Sequence, residues 1–259
     1  MGDATPQIGY AGRDVSGTTV DGFLGGRVSA QQPHMGFRSG LDAVILAASV
    51  PAHEGDHALE LGCGAGIASL CLAARVTGCA ITGVDSEAGL VALAAANAAV
   101  NGLGDRLSFV AGDALALSRE LRRDFDHVFL NPPFHDSAGQ RPLDRERAVA
   151  LHDEGKLSDW VSAAQRRVRS GGSLTVIVRT DRLPEVLRTL PDRGLVLFPL
   201  WPRDHEPARR VVVQARKDAR APLQLLPGLV LHASDGCYTP AAEAVLKEGA
   251  ALALANRPL

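Results

Sequence analysis

The 259-residue chain is 46% hydrophobic and 22% charged, with a net charge of −2; it is neither a disordered tail nor a disulfide scaffold, and one large domain or two small ones can bury a core. So small a charge exerts no global pull on nucleic acid, and a polyanionic partner has to be held by a local patch. Cys63, Cys71, Cys79 and Cys237 form no Cys-x-x-Cys pair and no His-x3-5-His follows, which argues against a metal such as zinc.

With no secretory leader in view, the cysteines are expected to be reduced thiols in a cytoplasmic protein. The apolar stretch 89–100 is alanine-rich and contains Asn97, so no membrane span is expected. Of 27 basic residues only Lys156, Lys217 and Lys247 are lysines, a bias assigned to a GC-rich genome.

Residues 1–16 read as an irregular leader. Residues 18–32 carry β-branched and aromatic residues around Gly25-Gly26, the pattern of a hairpin. A helical run over 41–50 ends at Pro51, with Asp42 at its positive end. From residue 56 strands and helices alternate. Strands are expected at 57–61, 80–84, 107–111, 126–131 and 173–178, with helices to Arg75, over 88–101, 157–168 and 182–190. A strand pair over 195–200 and 209–215, a strand at 229–233 and a helix over 240–254 complete the chain. The expected fold is α/β: a Rossmann-like, doubly wound, mainly parallel sheet with an antiparallel terminal strand. Residues 1–50 would form an N-terminal extension on a core of residues 51–259.

The chain converges on Phe125-Asp126-His127-Val128-Phe129-Leu130-Asn131-Pro132-Pro133-Phe134. An apolar strand stops at two prolines that lack amide hydrogens and hold Asn131 extended. Such a turn can aim the Asn131 amide oxygen and the Pro132 carbonyl outward together, two acceptors for the two donors of a planar –NH2. Phe134 would offer a flat face to the ring bearing that amine. An Asn-Pro turn closing on a buried phenylalanine carries the same signals.

Glu60-Leu61-Gly62-Cys63-Gly64-Ala65-Gly66 lies between a strand and a helix, where glycines admit a close-lying ligand. Ile67 stands where the dinucleotide G-x-G-x-x-G fingerprint needs its third glycine, which argues against a pyrophosphate cofactor. Asp85 ends the next strand, where a carboxylate can accept ribose hydroxyls. Asp113, followed by Ala114, ends the third and can face an adenine amine. Each acid alone reads more readily as a loop or cap residue; together with the glycine loop they outline a nucleoside pocket.

On these residues the chain resembles the class I S-adenosylmethionine-dependent methyltransferases of the small-domain type, with their Asn-Pro-Pro-aromatic motif. Gly36-Phe37-Arg38-Ser39-Gly40-Leu41-Asp42 and Tyr238-Thr239-Pro240-Ala241-Ala242 are similar to segments of the bacterial valine tRNA adenine-N6 methyltransferase family. The resemblance implies S-adenosylmethionine as cofactor, held by Arg38, Glu60, Gly62, Cys63, Gly64, Asp85, Asp113 and Ala114. It implies Asn131 and Pro132 on the target amine, Phe134 stacked on the base, and Pro133 beside it. Its substrate would be structured RNA, a tRNA with an adenine in the anticodon loop.

Arg141, Arg145 and Arg147 after the motif, and Arg203, Arg209, Arg210, Arg216, Lys217 and Arg220, are candidates to grip phosphate, although a solvated charged face reads the same way. Phe134-His135-Asp136 is also similar to the guanine-N2 methyltransferases of small-subunit ribosomal RNA, and the release-factor glutamine methyltransferases share the motif. A catalytically silent RNA-binding protein is the non-enzyme alternative. His135 and His152 read as loop hydrogen-bonders, and Trp160 as core packing. The sequence leaves the oligomeric state open.

Overall fold

In the computed structural model, which describes residues 17–36, 38–133, 157–252 and 254, the strand-helix alternation builds a nine-stranded sheet. β3 (His57–Leu61), β4 (Ala80–Asp85), β5 (Leu107–Ala111), β6 (Phe125–Leu130) and β7 (Val168–Arg179) run parallel in the order β5-β4-β3-β6-β7. The antiparallel strand expected late in the chain is β9 (Arg210–Arg216), wedged between β7 and β8 (Leu195–Arg203). β10 (Gln224–Leu225) and β11 (Leu229–His232) run parallel to β8 along its outer edge. Two residues carry no readable periodicity, so β10 had no signal in the sequence.

The chain steps outward from β3 to β4 and β5, then returns to β6 on the other side of β3. At this seam the loops leaving β3 and β6 diverge and open a crevice, where sheets of this kind take their ligands.

The central strands are apolar on both faces because both are covered. On β6, Phe129 joins the cluster formed with α1 (Leu41–Ser49) and α2 (Ile67–Arg75). Its neighbours Val128 and Leu130 join the opposite cluster with α4 (Leu157–Arg167) and α5 (Leu183–Thr189). Each such side chain contributes about 1.5–3 kcal/mol on burial. Buried strands therefore fix the depth at which Gly62 and Asn131 leave the sheet.

Two boundaries differ from expectation. α4 stops at Arg167 and β7 begins at once, so Gly171 and Gly172 lie inside the strand rather than in a turn. The β6–β7 register slips between Phe125 and His127; Gly171 takes φ of 72°, and a Cβ on Gly172 would sit 2.5 Å from the Asp126 carbonyl. The glycines admit this irregularity. α6 (Pro240–Leu246) ends well before Leu254, because left-handed Gly249 (φ 68°) turns the chain out of the helix and Leu252 N–H then bonds Ala48 O at 2.8 Å.

The hairpin β1 (Thr18–Phe23) and β2 (Val28–Pro33) stands apart from the main sheet. Its edge is closed by two asparagines one turn apart on and just after α3 (Ala88–Val100). Gln31 N–H donates to Asn97 Oδ1 (2.8 Å) and Ser29 N–H to Asn101 Oδ1 (3.0 Å), while the two side-chain amides donate back to Gln31 O (2.9 Å) and Ser29 O (2.7 Å). Side chains continue the ladder where a strand would.

Candidate active site

The loop after β3 is shaped by glycine. Gly62, Gly64 and Gly66 have φ of 71°, 53° and 82°, values that residues with a Cβ adopt only with strain. Gly62 and Cys63 N–H groups both bond Val84 O, at 2.8 and 3.0 Å. A Cβ on Gly62 would lie 3.2 Å from the Trp160 ring, and one on Gly66 3.0 Å from Ala94 and Phe109. At Gly64 no described residue stands within 4 Å of that position. Among the described residues the loop is packed at its two ends and open in the middle.

Glu60 lies beneath it, 4% exposed, and accepts from Ser69 N–H (3.1 Å) and Ser69 Oγ. Burial pushes its carboxyl up to about 8 against the lowering effect of the Ser69 bonds, with the Asp85 charge adding a little, so Glu60 is largely uncharged at neutral pH. It fastens the first turn of α2 to β3. The Cys63 side chain is buried and its thiol is pushed up by burial, so it is inert.

Asp85, at the end of β4, accepts from Gly64 N–H (2.8 Å) on one oxygen and from Glu87 N–H (3.0 Å) on the other. It holds the middle of the glycine loop, and its two oxygens retain lone pairs beyond these bonds. Asp113 closes a tight turn by accepting from Leu115 N–H at 2.7 Å. Ala114 is buried with Leu59, Leu61 and Val84.

Asn131 leaves β6 at the same level, across the seam from Gly62. Its Oδ1 is shielded from solvent and has no hydrogen-bond partner among the described residues. A buried acceptor without a donor costs about 1–3 kcal/mol, so such a group is expected to be held for a purpose. Pro132 is buried and Pro133 half-buried behind it. Phe134, Arg141, Arg145, Arg147, His135 and His152 lie outside the described residues.

Other candidates sit differently from a single pocket. The Arg38 guanidinium donates to Thr19 Oγ1, Pro33 O (2.9 Å) and Asp21, bracing the hairpin. Arg210 Nε donates to Asp42 at 2.9 Å, so Asp42 binds a side chain besides facing its own helix dipole. The arginines between 203 and 220 do not form one patch. β9 enters behind Arg209 with Arg210 at the Asn131 end of the sheet and delivers Arg216, Lys217 and Arg220 to the other.

Two residues of this region were not read as part of it. Trp160 covers Gly62 from α4, though its sequence neighbours signal only an apolar helix face. Asn97, besides closing the hairpin, donates to Ala65 O of the glycine loop at 3.0 Å; no local pattern announces a bond between segments so far apart in the chain.

The methyltransferase small domain family matches residues 39–190, more than half of the chain. The chain belongs to that family. This methyltransferase is 29% identical over 239 residues to the tRNA1(Val) (adenine(37)-N6)-methyltransferase of Porphyromonas gingivalis, spanning 85% of this chain and 91% of that protein. It is 32% identical over 204 residues to the Vibrio vulnificus protein of the same name, spanning 77% and 84%. The resemblance read from Gly36–Asp42 and the Asn-Pro-Pro motif is thus borne out along most of the chain. A crystal structure described as a predicted O-methyltransferase, Atu636 of Agrobacterium tumefaciens, superposes with a TM-score of 0.69 at 25% identity over 84% of this chain and all of that one. A Thermotoga maritima S-adenosylmethionine-dependent O-methyltransferase, at a TM-score of 0.52 and 17% identity over 72% of this chain and 68% of that one, shares the fold.

Proposed function

We propose that this methyltransferase transfers a methyl group from S-adenosylmethionine to the exocyclic N6 of an adenine in the anticodon loop of a tRNA, an activity of the cytoplasm. The observation that carries the reading is the solvent-shielded Asn131 Oδ1, without a donor among the described residues, at the seam beside the middle of the glycine loop.

The crevice suits the cofactor. Gly62 and Gly64 would let backbone lie against its methionine portion, Asp85 has lone pairs for ribose hydroxyls, and Asp113 stands at the next strand end for the adenine. When bound, the cofactor supplies an electrophilic methyl group on a sulfonium. The chain's own part is to hold an amine in line with it. An aromatic amine is a poor nucleophile because its lone pair is delocalised into the ring. Asn131 Oδ1 and the Pro132 carbonyl, accepting its two N–H groups, would localise that lone pair and orient it. Asparagine accepts without placing a full negative charge beside a cation. A base stacked in a folded loop has to be extruded first, at a cost of a few kcal/mol, which stacking on an aromatic such as Phe134 would offset.

The runner-up is a guanine amine in ribosomal RNA. The ribosomal RNA small subunit methyltransferase C of Salmonella arizonae is 30% identical over 158 residues, but the match spans 60% of this chain and 41% of that protein. The longer, two-sided overlap with the tRNA enzymes favours adenine. Incubation with labelled cofactor and total tRNA, ribosomal RNA or release factor separates the readings. Label in tRNA, recovered as N6-methyladenosine after digestion, is the expected result; label in ribosomal RNA as a methylguanosine, or in protein, overturns it.

A further inference from the structure

Arginines occupy both ends of the sheet, in different company. At the Asn131 end they face acids: Arg38 meets Asp21, Arg179 meets Asp181, Arg203 meets Glu206 and Arg210 meets Asp42. At the other end α4 finishes in Arg166 and Arg167, β9 exits through Arg216 and Lys217 toward Arg220, and Arg193 leads into β8. Two backbone bonds and one side-chain bond join these segments. Gly171 N–H donates to Lys217 O (3.1 Å), Lys217 N–H to Gly172 O (3.0 Å), and Arg193 Nη1 to Arg220 O (3.1 Å).

Among the described residues, no carboxylate is ion-paired to Arg166, Arg167, Arg193, Arg216 or Arg220. The nearby Asp126 is already matched by Arg169. Asp192 and Asp218 are the acids of the adjoining turns. The two arginines at the end of α4 suit its negative pole, but those leaving β9 and entering β8 have no such local reason.

We propose that this end of the sheet is a second RNA-binding surface, gripping backbone phosphates of the substrate's stem while the target base is presented at Asn131. The inference rests on the tRNA reading above. At about 3.4 Å per residue along β9, the two surfaces lie roughly 20 Å apart. A chain of net charge −2 cannot attract a polyanion as a whole, and Arg38, Arg179, Arg203 and Arg210 at the crevice end are each matched by an acid. The unmatched guanidinium forks on the far end are the ones chemically suited to phosphate. The division leaves the crevice free to select a base while affinity comes from elsewhere.

The test is the full-length protein with Arg166, Arg167, Arg216 and Arg220 all changed to glutamine, beside a version with all four changed to lysine. The glutamine version should bind full-length tRNA roughly 10- to 100-fold more weakly at physiological salt, and its plot of log affinity against log salt should flatten by about 0.7–0.9 for each phosphate no longer neutralised. KM for tRNA should rise with kcat unchanged, KM for an anticodon hairpin too short to reach the surface should not move, and lysine should restore most of the binding. A glutamine version of native melting temperature whose tRNA affinity and salt slope are unchanged overturns the proposal. So does a change in self-association with RNA binding intact. If the native protein methylates a different structured RNA with the same arginine dependence, only the tRNA assignment fails.

Discussion

β6 carries a polar side chain near each end, and the two have opposite circumstances. His127, near its start, is buried with both ring nitrogens engaged: Nδ1 lies 2.8 Å from Ser173 Oγ and Nε2 3.0 Å from Asp56 Oδ2. Asn131, just past its end, holds a solvent-shielded oxygen with no donor among the described residues. The two residues are four apart along one strand and its exit, and both place a side-chain polar atom out of solvent, so burial alone does not explain the contrast. A polar group whose partners are all supplied by the chain stabilises the fold. One left wanting is stability surrendered where a ligand is to supply the partner.

Breaking each end should therefore give different results. Asn131→Ala, the largest effect expected, should lower kcat by about 100- to 1,000-fold or more, by analogy with loss of a positioned transition-state partner. Cofactor affinity should stay within about threefold and the melting temperature should hold or rise, since an unsatisfied acceptor is removed. Near-normal turnover would show that Asn131 does not hold the amine. His127→Ala should do the reverse, costing about 2–4 kcal/mol of stability through a cavity and the loss of both ring hydrogen bonds, with kcat of the folded protein nearly unchanged. Denaturant unfolding and turnover at low temperature separate the two.

The contrast also marks what the sequence could disclose. The glycine loop, Asn131-Pro132-Pro133 and the strand-helix alternation are local patterns whose chemistry depends on adjacent residues, and each is found where it was expected. What escaped notice are relations between distant segments. β9 inserts antiparallel between β7 and β8, so arginines close in sequence land at opposite ends of the sheet. Arg38, expected at the cofactor, also braces the hairpin through Asp21 and Thr19, a role its neighbours in sequence do not announce. Trp160 has the neighbours of any core residue, yet covers Gly62. Periodicity reports burial and element type; it does not say which segment lies across the gap.

Glu60 sharpens the comparison because it is a satisfied polar group close to the site. Its carboxyl is raised from an ordinary 4.5 to about 8, so between those values the folded protein binds a proton that the unfolded chain does not. By linkage, stability falls as pH rises from about 4.5 to 8 and changes no further beyond. His127 acts in the opposite sense. Burial lowers it from 6.5, against the raising effects of Asp56 and Asp126 and with a lowering one from Arg169, so its contribution is lost as pH falls below that value. Glu60→Gln should keep the bonds to Ser69 and remove the first slope, measured as melting temperature against pH. A slope that survives the substitution would mean that Glu60 is charged in the folded protein.

The smallest effects should come from the asparagines that close the hairpin edge, and they bear on whether that edge serves the fold or the site. Asn101→Ala removes both bonds to Ser29 and should cost about 1–2 kcal/mol, visible as faster amide hydrogen exchange at Ser29 with cofactor affinity unchanged. Asn97→Ala removes the equivalent pair to Gln31 and also the bond to Ala65 O in the glycine loop. It should release Gln31 in the same way and in addition weaken cofactor binding by roughly 3- to 10-fold, on the ordinary worth of one hydrogen bond. The two substitutions are alike in chemistry and one helical turn apart; each also removes a third bond, Asn101 Nδ2 to Asn97 O (2.7 Å) within the helix end and Asn97 Nδ2 to Ala65 O in the glycine loop, and only the second reaches the cofactor loop. Equal cofactor affinities in both variants would confine Asn97 to the architecture, alongside His127, and leave the glycine loop supported by Glu60 and Asp85 without help from the hairpin.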